Sequence, residues 1–352
     1  FTVNVGMWLY DGLSLFRSPK RHANLSVKQV KKVEPALRTE GLKGAPLYYD
    51  CGTDDARLTL ETALDAVAQG AVVATHCCVV GFLREPSGRI NGVEVEDRLT
   101  GELREVKAPV VINATGPWSD RTRSIGGGEY SERLRPTKGI HIVVDTARLK
   151  VHHAVVGFHP SDGRVLFAIP WGDRTYIGTT DTDFSGDPAE VCADRADVDY
   201  LIDVSNHYFP DVKLTHDDVI ATWAGVRPLI SEDEGGSESN VSREHDIRID
   251  PDGLITIAGG KLTTYRRMAA ELVDKALDLL RIMGRVPTEL HASHTEIEAL
   301  PGAVGWPEDD DHAAVARQIE AAGKGAVDAQ TARLLGDTYG MRGLDVVELA
   351  AG

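Results

Sequence analysis

Apolar positions recur along this chain in two periods, and the switching between them predicts a mixture of helices and strands. From Asp55 to Gln69, Leu60, Ala63, Leu64 and Val67 fall at helical spacing, and Gly70 stands where a C-terminal cap belongs. Upstream, Ser26 and Gln29 have the spacing of a capping box ahead of a short helix that Pro35 disturbs. The apolar run from about Val72 to Phe82 predicts a buried strand. It turns at Pro86-Ser87-Gly88 into Ile90 to Val95, and again at Thr100-Gly101 into Leu103 to Val106, an antiparallel meander. Pro109 to Gly116 predicts a fully apolar strand running into Thr115-Gly116, the way strands end at a nucleotide site.

Residues 134 to 181 read as further strands, at Ile140 to Val144, Val165 to Pro170 and Arg174 to Thr180, with turns at Ser161-Asp162-Gly163 and Gly172-Asp173. A helix is predicted from about Ala196 to Tyr208 and a strand from Val219 to Leu229. The acidic, Gly- and Ser-rich stretch Ser231 to Ser242 reads as a loop. His245 to Asp250 and Leu254 to Ala258, joined at Pro251-Asp252-Gly253, predict a hairpin whose second arm enters Gly259-Gly260-Lys261. A helix follows over about Leu262 to Met283, and after Pro287 the pattern is alanine-rich and helical in pieces.

Composition narrows this picture. With 352 residues, 42% hydrophobic and 26% charged, the chain has more apolar material than one small core absorbs, so two domains with a third begun are expected. A net charge of -16 disfavours a general nucleic-acid-binding surface, because phosphate backbones are repelled on average. Cys51, Cys77, Cys78 and Cys192 form no CxxC pair, and a reducing compartment with thiols as small core residues is expected. Gly70 to Leu83 is too short for a bilayer span and contains His76. The opening Phe1-Thr2-Val3-Asn4 has neither an initiator Met nor a signal-peptide pattern, so an internal start is expected.

Four features carry candidate chemistry. In Ala258 to Arg266 an apolar strand passes through two glycines into a helix, a junction that attracts negative charge, although a tight capped turn satisfies the same pattern. Arg227, within Gly225-Val226-Arg227-Pro228-Leu229, either pairs with an internal carboxylate or meets an anionic ligand, since an unpaired guanidinium in that setting is costly. His141 sits in a β-branched run and reads either as a satisfied core residue or as a catalyst. Arg17, Lys20, Arg21, Lys28, Lys31 and Lys32 reverse the prevailing charge just after the apolar Met7 to Tyr10 and Leu13, Leu15 and Phe16. They form either a face for anionic lipid or a solvated basic surface.

Taken in order, these strings resemble the FAD-dependent glycerol-3-phosphate dehydrogenases. The resemblance runs through Tyr49-Asp50-Cys51, Asp54 to Leu58, Asn113-Ala114-Thr115-Gly116-Pro117-Trp118, Lys138 to Val144 and Ile169-Pro170-Trp171. It continues through Ile177-Gly178-Thr179-Thr180-Asp181, Gly225 to Leu229, Arg243 and Gly259 to Arg266, covering about Val5 to Leu300. It implies an α/β (α+β) fold with a Rossmann-like FAD-binding domain of the glutathione-reductase/D-amino-acid-oxidase type lacking its first βαβ unit. An antiparallel-sheet substrate domain and a partial C-terminal helical domain complete it. The implied division is a membrane-facing or substrate-domain segment at 1–48, the FAD domain at 49–125 and 245–285, the substrate domain at 126–244 and the helical domain at 286–352.

The family's GxGxxG turn is absent, and Gly126-Gly127-Gly128 does not follow a predicted strand. The chain is therefore expected to be truncated at its start, incomplete at its end, and a weak binder of FAD at best. By resemblance Val79 touches the adenosine end of FAD, Thr115, Gly116 and Trp118 lie along the cofactor, and Gly260, Lys261, Leu262 and Thr263 border the flavin. Arg227, Arg243 and Lys261, with Thr263, hold the glycerol 3-phosphate dianion. His141 takes the proton as hydride leaves, with Arg227 and Lys261 beside it in the catalytic set. The implied acceptor is a membrane quinone, favoured over oxygen by the basic, aromatic start and the lack of a long mid-chain insertion. A cytoplasmic protein peripheral on the inner face of an anionic membrane is expected, with a homodimer as one assembly and no nucleic-acid partner. An amine-oxidising relative and a catalytically empty interaction module are the rival readings.

Overall fold

The computed structural model describes residues 2–13, 20–127, 131–231, 245–285 and 289–351. In chain order the elements are α1 (Thr2–Leu13), β1 (Ala23–Leu25), α2 (Val27–Val33), β2 (Ala45–Leu47), α3 (Asp55–Ala68), β3 (Cys77–Arg84), β4 (Ile90–Asp97), β5 (Leu103–Lys107), β6 (Ile112–Asn113), α4 (Ser119–Ser124) and β7 (Leu134–Asp145). There follow β8 (Val155–Phe158), β9 (Val165–Trp171), β10 (Arg174–Gly178), β11 (Thr182–Asp183), α5 (Arg195–Tyr208), β12 (Val219–Ile230), β13 (His245–Ile249), β14 (Ile255–Gly259), α6 (Tyr265–Ile282), α7 (His312–Ala322), α8 (Ala329–Tyr339) and α9 (Gly343–Ala351). They fall into two compact units, residues 1–51 with 112–261 and residues 52–111 with 262–352.

The first unit is built on a mixed-length antiparallel sheet in the order β11-β7-β10-β9-β8, with β12 pairing along the other edge of β7. One face of this sheet is sealed. Ile140, Ile142 and Val144 from β7, Leu166 and Ala168 from β9 and Ile177 from β10 pack on Leu201, Ile202 and Val204 of α5 and on Phe209. Each such side chain fully removed from water contributes about 1.5–3 kcal/mol, which makes this layer the main source of the unit's stability. The helix that covers it starts sharply, because the Asp194 and Asp197 side chains each accept the other's backbone N–H at 3.0 Å. Lys138 of β7 bridges the same two carboxylates at 2.8 and 2.6 Å and ties the helix start to the sheet.

The same unit holds a second, small sheet in which β14 pairs antiparallel with β13 and parallel with β6. The buried Asp250 at the end of β13 takes a bidentate pair of hydrogen bonds from Arg123 of α4, at 3.0 and 3.1 Å, and a third at 3.1 Å from Arg133. This network fixes α4 and the start of β7 on the hairpin. Gln29 accepts the Ser26 amide at 2.8 Å and α2 stops at Val33, as the capping-box spacing and Pro35 predict.

In the second unit β3, β4 and β5 form the meander expected from the sequence, and the chain leaves α3 through Gln69 and a left-handed Gly70 (φ +93°). The helices α7, α8 and α9 close over Val315, Ile319, Ala332 and Val347. Arg57 of α3 lies over the Tyr339 ring at 4.4 Å, and Glu61 reaches Arg342 at 3.7 Å, so α3 carries this helical cluster.

Several expectations are corrected. The strand expected from Val72 begins only at Cys77, after Val72 and Val73 have been left exposed and His76 has taken a positive φ. The strand expected over Pro109 to Gly116 shrinks to Ile112–Asn113. The thiols are not core residues, for Cys51, Cys77 and Cys192 are exposed and Cys78 half-buried. The expected loop Ser231 to Ser242 lies outside the described residues from 232 onward. Among the described residues no helix is long and apolar enough to cross a membrane.

Candidate functional site

The unsealed face of the large sheet is chemically different from the sealed one. Alternation places Thr137, Gly139, His141 and Val143 of β7 on this side, and the pairing register sets Trp223 opposite His141, Gly225 opposite Gly139 and Arg227 opposite Thr137. The His141 ring stacks on Trp223, with centroids 5.1 Å apart and planes at 24°, and meets Tyr176 of β10 edge-on at 5.9 Å. Trp171 closes the cluster, 6.0 Å from both Tyr176 and Trp223. Two glycines make the arrangement sterically feasible. A Cβ on Gly178 would stand 2.1 Å from Cδ2 of His141, and one on Gly139 would stand 2.2 Å from an Nη of Arg227.

His141 Nδ1 is buried without a hydrogen-bond partner among the described residues. Burial first, and then the nearby positive charge of Arg227, push the imidazole down to about 4, so the ring is neutral at physiological pH. A neutral imidazole keeps a lone pair on one of its ring nitrogens. Arg227 donates from Nη1 to the Thr180 carbonyl at 3.3 Å and to the Asp181 carboxylate at 3.2 Å, and from Nη2 to Thr179 Oγ1 at 3.0 Å. The internal-carboxylate reading of Arg227 is therefore realised. Its side chain nonetheless retains 31% of its accessible surface, which leaves it reachable by an anion.

A second group of candidates gathers at the carboxyl ends of the parallel pair β6 and β14. Beyond β6 the chain passes through Thr115 into a 3-10 turn, Gly116–Trp118, with Gly116 in the left-handed region (φ +55°). At the end of β14, Gly259 and the following Gly260 are also left-handed (φ +75° and +83°) and lead to an exposed Lys261. Buried Asn113 braces the first turn. It donates to the Ser119 carbonyl at 2.9 Å and accepts from Thr115 Oγ1 at 2.7 Å. Ligands in α/β sheets bind outside the carboxyl ends of such strands, where glycine allows close approach to the backbone. β12, which carries Arg227 and Trp223, packs against both β14 and the 116–118 turn.

The remaining sequence candidates are placed as follows. Leu262 and Thr263 lie in a 3-10 turn, Leu262–Thr264, in the second unit, so α6 begins only at Tyr265 rather than at Leu262. Val79 pairs with Val95 inside the meander of that unit. Arg243 falls outside the described residues. Sequence reasoning missed Trp223, Tyr176, Thr179 and Asp181 as partners of His141 and Arg227, because the cross-strand register that joins them is not a local property. The one local signal was glycine within or at the end of an apolar strand, at Gly139 and Gly178.

Residues 11–275 match the family model described as FAD dependent oxidoreductase. The chain belongs to that family. Among curated relatives, it is 40% identical over 341 residues to the aerobic glycerol-3-phosphate dehydrogenase of Staphylococcus haemolyticus, covering 97% of this chain and 60% of the relative. The namesake from Staphylococcus saprophyticus is 38% identical over 351 residues, covering 99% and 62%. Among solved structures, the glycerol-3-phosphate dehydrogenase from Bacillus halodurans, complexed with FAD, superposes with a TM-score of 0.79 at 38% identity, covering 93% of this chain and 62% of that one. The chain thus spans about three fifths of the length of the curated relatives it matches.

Proposed function

We propose that this chain is the substrate-side portion of an FAD-dependent glycerol-3-phosphate dehydrogenase, which oxidises the C2 hydroxyl of glycerol 3-phosphate to give dihydroxyacetone phosphate. The observation that carries the reading is a neutral, half-buried His141 next to an anchored, partly exposed Arg227 on one sheet face. The similarity to dehydrogenases of that name supports it.

The residues present fit a flavin nucleotide along one side. Three left-handed glycines, Gly116, Gly259 and Gly260, mark the carboxyl ends of the parallel strands, and nothing lies within 4 Å of where a Cβ on Gly116 would be. Thr115, Gly116, Gly260 and Lys261 would line it. FAD, when bound, supplies the acceptor for the hydride that leaves C2. Arg227 holds the substrate phosphate by charge-assisted hydrogen bonds, and Lys261 adds positive charge for a dianion. His141, neutral because it is buried, takes the hydroxyl proton through a ring nitrogen. Trp223, stacked on the His141 ring, and Tyr176, edge-on to it, hold the imidazole in place.

For the acceptor we infer a membrane quinone, with the protein cytoplasmic and peripheral on an anionic inner membrane face. Trp8, Leu9 and Leu13 of α1 are exposed, and Lys28, Lys31 and Lys32 on α2 follow them in the chain, a combination suited to an anionic interface. A homodimer is compatible with the reading.

Anaerobic addition of glycerol 3-phosphate to the protein loaded with FAD should bleach the flavin absorbance. Bound flavin that stays yellow with this substrate, or bleaches equally with N-methyl amino acids, would overturn the assignment.

A further inference from the structure

The bend after β10, Gly178 through Asp181, meets both His141 and Arg227. Gly178 provides the space for the His141 ring, while Thr179, Thr180 and Asp181 supply three acceptors to the Arg227 guanidinium. Two of those acceptors are neutral. Asp181 provides a full negative charge, at 3.2 Å from Nη1, and a charge-assisted hydrogen bond of this kind is about twice as strong as a neutral one. Asp181 is itself held from behind, because Arg164 donates to its backbone carbonyl. Its carboxylate is mostly covered by the surrounding chain. On its other side the guanidinium lies against the bare Cα of Gly139.

We propose that Asp181 is the positioning residue for Arg227, fixing the guanidinium between Gly139 and the 179–181 bend so that it meets the substrate phosphate already oriented. An arginine left without that anchor would have to give up its side-chain freedom each time a phosphate bound. This rests on the glycerol 3-phosphate reading, since Arg227 must be the phosphate ligand for its orientation to matter. Asp181 acts through Arg227, so removing it should be felt only when Arg227 is present.

The test is a double-mutant cycle read by calorimetric titration of glycerol 3-phosphate into the purified chain. Asp181→Asn, which keeps the shape and removes the charge, should weaken binding about tenfold. Asp181→Glu, which restores the charge, should recover most of that loss. In an Arg227→Ala background Asp181→Asn should change binding by less than about twofold, the mark of two residues acting as one. Binding by Asp181→Asn equal to wild type, or a tenfold loss that persists without Arg227, overturns the positioning role while leaving the substrate assignment intact. Wild-type protein that does not bind glycerol 3-phosphate overturns the substrate assignment and the positioning role together. Thr179→Ala, which removes the Nη2 acceptor and no charge, is the milder probe. About threefold weaker binding is expected, and an undiminished affinity in both Thr179→Ala and Asp181→Asn rejects the bend as the anchor.

Discussion

The two faces of the large sheet are made by the same strands, yet they have opposite chemistry. On β7 the even positions Ile140, Ile142 and Val144 are wholly buried beneath α5, while the odd positions Gly139 and His141 share their face with Trp223 and Arg227 of β12. The sealed face is redundant, as many interchangeable aliphatic contacts hold it. The open face is specific, since two glycines are needed simply to leave room for one imidazole and one guanidinium. A single-residue shift in register would exchange the two faces, so the aliphatic layer that stabilises the sheet also determines where the chemistry points.

Substitution on the sealed face should therefore damage stability and spare the site. Ile142→Ala removes a fully buried side chain and should lower the free energy of unfolding by about 2–5 kcal/mol in urea titrations. The affinity of the folded protein for glycerol 3-phosphate should stay within about twofold. A stable variant with lost binding would show that the two faces are not separable in this way.

The converse substitution is Arg227→Ala. Losing a charged phosphate contact typically costs about 2–5 kcal/mol, so KM for glycerol 3-phosphate should rise about a hundredfold. The thermal midpoint should move by only a few degrees, because the side chain is 31% exposed and belongs to no apolar cluster. An unchanged KM removes Arg227 from the phosphate site.

A smaller effect is expected where the open face depends on the absence of a side chain. Gly178→Ala would place a Cβ 2.1 Å from His141, which must then leave its stack on Trp223. Overpacking of this kind costs about 1–3 kcal/mol, and kcat should fall about tenfold or more with KM less affected. Tryptophan fluorescence should change as the ring contact is lost.

Much of this contrast was legible in the sequence. The strands at 140–144, 165–170 and 174–180 were visible between their turns, the hairpin, the meander and the helix at 55–68 lie where turn chemistry and a cap put them, and the helix at 195–208 lies where one was expected. His141, Arg227 and the Gly259-Gly260-Lys261 junction could be singled out because charge or glycine in a β-branched run is anomalous. What stayed hidden was pairing. Nothing local says that Trp223 faces His141, that Asp181 meets Arg227, or that Asn113 braces Thr115. The misplaced strand start at Val72 has the same origin, since an apolar run reports a capacity for burial, and only a partner strand decides where pairing begins.

The finest test of the comparison concerns why His141 is neutral. Two causes act in the same direction, burial first and the Arg227 charge second, and together they bring the ring to about 4 from its ordinary 6.5. The folded state thus prefers the uncharged ring. Its contribution to stability is complete above pH 6.5 and is lost as pH falls from there towards 4, because the unfolded chain takes up the proton first. A proton-accepting His141 should likewise remain competent through neutral pH, with no loss of activity on crossing 6.5. In an NMR titration of the imidazole, Arg227→Ala should raise the midpoint above 4 but leave it below 6.5, since the larger cause survives the substitution. A midpoint restored to 6.5 would mean that the Arg227 charge, and not the half-buried aromatic setting of the open face, keeps the ring neutral. In that case His141 and Arg227 would be one electrostatic unit, and the face itself would be only their support.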